Sequence, residues 1–106
     1  MRRRSKYGAK RTVVDGISFM SKLEAKRYSQ LKLMEKGKVI SDLKLQPRFP
    51  LVAGITYVAD FSYIEAGAEV IEDVKGVETE VFRIKKKLFK HCYPHLNLRI
   101  LKAKDL

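Results

Sequence analysis

Only one cysteine, Cys92, occurs in the 106 residues. A single thiol excludes an internal disulfide, and the sequence asks for no oxidising compartment. Cys92 reads as a half-buried helix residue. No apolar run approaches the ~20 residues that a membrane span needs. The basic stretch Met1–Arg11 has no apolar segment behind it, so it does not read as a secretory signal. The expected location is cytoplasmic. Internal repeats and low-complexity linkers are absent too. The length suits one core, which predicts a basic arm over 1–11 and a single domain over 12–106.

Acids are scarce: 12 Asp and Glu stand against 23 Lys and Arg, for a net charge of +11. Such an excess points to nucleic acid or an anionic surface. Its distribution is more informative. The arm carries Arg2, Arg3, Arg4, Lys6, Lys10 and Arg11 and no acid. A second cluster comprises Arg83, Lys85, Lys86, Lys87 and Lys90. Between them, residues 60–80 hold seven of the twelve acids and one lysine, Lys75. Basic flanks would grip phosphates while the acidic centre holds a cation. Glu65, Glu69, Glu78 and Glu80 read as a solvated edge; Asp60 and Asp73 do not.

Local patterns predict the elements. Asp15-Gly16 between apolar runs reads as a type I′ turn in a hairpin over Thr12–Phe19. A helix runs from Ser21 to about Lys36, with Gly37 at its C′ position. Leu43–Val52 reads as an extended strand, with Pro47 and Pro50 placing it at an edge or bulge. Residues 55–64 alternate Tyr57, Ala59, Phe61 and Tyr63 against Val58, Asp60 and Ser62, a second strand. After a turn at Glu65-Ala66-Gly67, Glu69–Lys75 returns antiparallel. A second helix spans Thr79 to about Tyr93, with Val81, Ile84, Leu88 and Cys92 on one stripe and Phe82 and Phe89 beside it. Leu96–Leu101 is a last strand, expected to be parallel to its partner because a helix precedes it. The sum is an α/β domain: a hairpin, a helix, a three-strand meander, a helix and a strand.

On Glu69–Lys75, Asp73 and Lys75 share a face. Asp60, on the preceding strand, can meet Asp73 across the pair. Aspartate is disfavoured in strands, and two converging carboxylates repel unless a cation lies between them. Oxygen ligands at this spacing suit Mg²⁺, with Mn²⁺ able to substitute. Glu24 projects within the apolar face of the first helix at ~100° per residue. Ser21-x-x-Glu24 is also a capping box. On the helix alone ligand and cap are balanced, and the sheet acids favour the ligand.

Asp60 followed by Glu72-Asp73-Val74-Lys75, in a frame of helix, three strands, helix and strand, resembles the PD-(D/E)XK nuclease superfamily. It is most similar to small phage-encoded members of the Holliday-junction-resolvase type. The resemblance covers about Phe19 to Leu101 and implies a restriction-endonuclease-like core. It further implies that Asp60 and Asp73 bind metal, that Lys75 orients or activates water, and that Glu24 completes the shell. Phase with Lys75 selects Asp73, and Glu72 would face the other way, beside Val70 and Val74. The implied activity is metal-dependent cleavage of duplex or branched DNA, with a homodimer giving two symmetric cuts. A non-catalytic DNA-binding protein of a phage replication module is the alternative.

Other candidates recede. His91 and His95 have zinc-pair spacing, but Pro94 interrupts the helix between them. Tyr7 and Tyr28 could stack on bases, although core packing is the usual fate of Tyr28. The basic clusters are expected to contact phosphates rather than read bases.

Overall fold

The computed structural model describes residues 11–106. Arg2, Arg3, Arg4, Lys6, Tyr7 and Lys10 lie outside the described residues.

Strands β1 (Thr12–Val14) and β2 (Ile17–Phe19) pair antiparallel. Asp15 and Gly16 both have positive φ, 53° and 75°, as a type I′ turn requires. Asp15 also accepts a hydrogen bond from the Tyr28 hydroxyl at 3.1 Å, which ties the hairpin to helix α1 (Lys22–Lys36). At the start of α1, Ser21 Oγ accepts from the Glu24 amide at 3.1 Å. The helix ends at Lys36 as expected, but the left-handed residue that follows it is Lys38 rather than Gly37. Gly37 has φ −80°, and Lys38 takes the left-handed conformation at φ 62°.

The main sheet has four strands in the order β3 (Ser41–Leu45), β6 (Phe61–Glu65), β7 (Ala68–Val74), β8 (Asn97–Leu101). The first three run antiparallel, and β8, reached through helix α2 (Glu80–Cys92), is parallel to β7. This is the expected mixed sheet, although the two long strands expected over 43–52 and 55–64 are each broken. Their outer halves, β4 (Arg48–Pro50) and β5 (Thr56–Val58), form a separate two-stranded ribbon. The corner falls where Gln46 adopts φ 50° and Pro47 offers no N–H. Two bonds close it, Gln46 N to Asp60 O at 2.9 Å and Ala59 N to Pro47 O at 3.1 Å. The period-2 alternation does not survive this turn. Tyr57 and Ala59 pack on the α2 side, whereas Phe61 and Tyr63 pack on the α1 side.

Each sheet face carries a helix. Ala25, Tyr28 and Leu31 of α1 meet Phe61, Tyr63 and Val70. On the other face Phe82 and Phe89 of α2 meet Tyr57, Ala59 and Ile71. The first half of the stripe expected to bury α2 is turned away, with Val81 63% exposed and Ile84 54%, whereas Leu88 and Cys92 are half-buried. Aromatic rings win the interface because each removes more apolar area. Phe89 lies 5.0 Å from Phe49 and 5.3 Å from both Tyr57 and Tyr93, measured between ring centres. Among the described residues no helix is long and apolar enough to cross a membrane.

Glu72 points to the α1 side, as its phase requires, and is fully buried. Arg27 of α1 grips it with Nε to Oε1 at 2.8 Å and Nη2 to Oε2 at 2.6 Å. The Tyr63 hydroxyl donates to the same carboxylate. Removing one partner of such a pair strands a buried charge. Arg27→Ala should therefore lower stability by about 3–5 kcal/mol in denaturant titration. Combining Arg27→Met with Glu72→Met should recover much of that loss. A double variant as unstable as the single one would mean that the pair contributes beyond charge compensation.

Candidate active site

The corner that breaks the long strands also builds the site. Asp60 sits in it, between β5 and β6, rather than at a strand centre. Its amide still bonds Glu72 O at 3.1 Å, so the β6–β7 ladder runs on to this point. Asp60 Oδ2 accepts from the Val74 amide at 2.7 Å, which fixes the carboxyl against the end of β7. Asp73 lies beside it on the α2 face, 1% exposed.

Asp73 is held asymmetrically. Its Oδ2 accepts from the Tyr57 hydroxyl. Its Oδ1 is buried and makes no hydrogen bond, with Lys75 Nζ at 3.3 Å as a neighbouring charge. Lys75 is on the same face, as predicted, and its ammonium lies 4.5 Å above the Phe82 ring centre. A buried acceptor without a hydrogen bond is unusual enough to need an explanation.

The electrostatics join four residues. Burial pushes the Asp60 carboxyl up to about 8, the Asp73 charge adds to this, and the Val74 amide opposes it. Glu24 is also raised, first by burial and then by Asp73, while Lys75 and the Met20 amide pull it down. Burial and the Asp73 charge raise the Tyr57 hydroxyl far above its ordinary range. The structure therefore brings Glu24, Asp60, Asp73 and Lys75 into one field. Ser21 caps α1, yet the Glu24 side chain draws on the Met20 amide and senses Asp73 as well.

Among the described residues no three Asp, Glu, His or Cys groups stand close enough to hold a metal between them. The fit rests instead on the Asp60–Asp73 pair. Mg²⁺ takes one or two carboxylates and keeps several waters, and an all-oxygen pair with one open buried oxygen matches that chemistry.

Tyr57 and Phe82 carry no functional signal in the sequence, where both read as plain core residues. His91 and His95 are exposed and take no part. The basic cluster is not one surface. Arg83, Lys87 and Lys90 are exposed and Lys85 is half-buried. Lys86 is drawn inward to Glu78 Oε1 at 2.8 Å and lies over the Phe82 ring. Arg11 donates to Ser18 Oγ at 3.0 Å.

The raised Asp60 carboxyl makes stability depend on pH with a definite sign. A folded-state value near 8, above the ordinary aspartate value, means the native protein binds the extra proton. Asp60 therefore favours folding least at high pH, and stability falls as pH rises through the interval between the two values. The slope approaches about 1.4 kcal/mol per pH unit for one full proton. Denaturant titrations of metal-free protein between pH 5 and 8 should show a steeper fall for wild type than for Asp60→Asn. Equal slopes would remove Asp60 as the protonated group.

No curated protein matches the chain. A family model described as "Protein of unknown function (DUF1064)" matches residues 4–106, and the chain belongs to that family.

Proposed function

We propose that this chain is a metal-dependent deoxyribonuclease that hydrolyses phosphodiester bonds, with a restriction-endonuclease-like core and duplex or branched DNA as substrate. One observation carries this: the buried Asp73 carboxylate and the Asp60 carboxyl raise each other's cost of ionisation at one corner, with Lys75 and Glu24 in the same field. Such a cluster disfavours the metal-free, ionised state and favours a divalent cation. Asp60 and Asp73 would hold Mg²⁺ or Mn²⁺, with Glu24 acting on the pair through the shared field rather than as a third direct ligand. When bound, the ion offsets charge on the phosphoryl group and makes water acidic enough to attack at neutral pH.

The chain's own groups do the rest. The Val74 amide fixes Asp60 and the Tyr57 hydroxyl fixes Asp73 through Oδ2, so Oδ1 remains available. Lys75, steadied over Phe82, brings a positive charge to where negative charge grows on the phosphate. The exposed Arg83, Lys87 and Lys90, with the basic arm, supply phosphate contacts that carry no sequence information. A homodimer and a bacterial cytoplasmic location complete the proposal.

The test is cleavage of supercoiled plasmid and four-way junctions with Mg²⁺, Mn²⁺ or EDTA. Asp60→Asn and Asp73→Asn should abolish cutting while retaining DNA binding, and Lys75→Ala should lower the rate by about 10²–10³-fold. Tyr57→Phe removes only the hydroxyl and should weaken metal affinity or rate by about 10–100-fold. Glu24→Gln should depress cleavage well beyond any change in melting temperature. Binding without cleavage under every cation, or wild-type rates in either aspartate variant, would overturn the reading.

A further inference from the structure

We propose that Lys86 and Lys102 form a subsite for a backbone phosphate beside the acidic corner, and that Glu78 fills it until a nucleic-acid phosphodiester displaces it. The proposal rests on the nucleic-acid reading above and adds to it a ligand position and a regulating residue.

Glu78 lies in the loop between β7 and α2, next to the α2 cap Thr79. Its two oxygens are divided between two cations from different parts of the chain. Oε1 is 2.8 Å from Lys86 Nζ on α2, and Oε2 is 3.0 Å from Lys102 Nζ just after β8. One ammonium on each oxygen is also how two lysines would receive the two non-bridging oxygens of a phosphodiester. Both ammonium groups hold the Glu78 carboxyl well below its ordinary range. The sequence pattern marks Glu78 as a solvated edge residue and Lys86 as a free phosphate contact. In the fold each instead occupies the other.

Location links this cluster to the site. Lys75 Nζ and Lys86 Nζ lie over the same Phe82 ring, 4.5 Å and 5.7 Å from its centre. A strand whose reacting phosphate meets Lys75 would therefore carry a nearby phosphate towards Lys86 and Lys102. Exchange is easy on physical grounds. Glu78, Lys86 and Lys102 are half-buried, with side-chain exposures of 22%, 26% and 35%, so water still reaches each charge when the contact opens. An incoming phosphate brings the same charge as Glu78 and also releases counterions from the nucleic acid. Glu78 meanwhile presents a negative charge to any backbone approaching the corner, so its displacement sets a threshold for binding.

The experiment measures binding of unrelated duplexes and one four-way junction across a salt series in EDTA, where cleavage is silent. Glu78→Gln should bind severalfold more tightly than wild type. The double variant Lys86→Gln with Lys102→Gln should bind more weakly, and its salt slope should be flatter by roughly 0.9 for each phosphate that is no longer neutralised. Adding Glu78→Gln to the double variant should give no further gain. Glu80→Gln, which removes an exposed acid two residues on, controls for net charge, and melting temperatures control for folding. A gain from Glu80→Gln equal to that from Glu78→Gln, or a Glu78→Gln gain that persists without the two lysines, would overturn the subsite. So would lowered stability in Glu78→Gln with unchanged affinity, the result expected of a purely structural tie. If wild type and every variant fail to bind DNA, the nucleic-acid reading itself falls. Normal binding that is indifferent to Glu78 removes only the subsite.

Discussion

Glu72 and Asp73 are neighbours on the central strand β7, and both are withdrawn from water. The pleat sends them to opposite faces, so one strand must accommodate a buried carboxylate on each side. On the α1 face this is done fully: a guanidinium takes both oxygens of Glu72, and Tyr63 adds a third bond. On the α2 face it is done partly. Tyr57 takes one oxygen of Asp73, and the other makes no hydrogen bond and lies 3.3 Å from the Lys75 ammonium. The satisfied face anchors the strand to α1, and the other face holds the candidate site.

That asymmetry gives the bent hairpin its meaning. Had β3–β4 and β5–β6 continued straight, Asp60 would have been one more residue in a ladder. Because the chain turns at Gln46-Pro47 opposite Ala59-Asp60, Asp60 is released from the alternation and its carboxyl is pinned by the Val74 amide instead. The same turn moves Tyr57 to the α2 face, from which its hydroxyl reaches Asp73. One corner thus supplies both the second carboxylate and the residue that orients the first.

Much of this frame was legible in the sequence, where short-range rules operate. Asp15-Gly16 announced its turn, period 2 put Asp73 with Lys75 and Glu72 on the far side, and the helix before β8 implied a parallel strand. Long-range and competitive features were not legible. Arg27 and Glu72 are 45 positions apart, and nothing local in either residue names the other. The corner required a left-handed Gln46, which no pattern in that segment demands. On α2 two apolar stripes competed, and the aliphatic one, regular in spacing, lost to the bulkier rings of Phe82 and Phe89. Asp73 was readable because a strand centre disfavours aspartate. Tyr57 was not, since a buried tyrosine violates nothing.

The site's electrostatics set it against the stability of the fold that carries it. Burial and the Asp73 charge leave Asp60 favouring a proton near neutral pH, so ionising the corner disfavours the native state unless positive charge arrives. Lys75 cannot fully supply that charge, for its ammonium is partly solvated and shared with the Phe82 ring. A divalent cation could, and under the proposed reading binding it would restore stability in the pH range where hydrolysis operates. On its other face β7 is secured separately from this corner. Arg27 and Tyr63 hold the strand through Glu72, independently of what occupies the corner. A neutral residue at position 72 would leave Asp73 as the strand's only buried charge, and would remove the contact that ties β7 to α1.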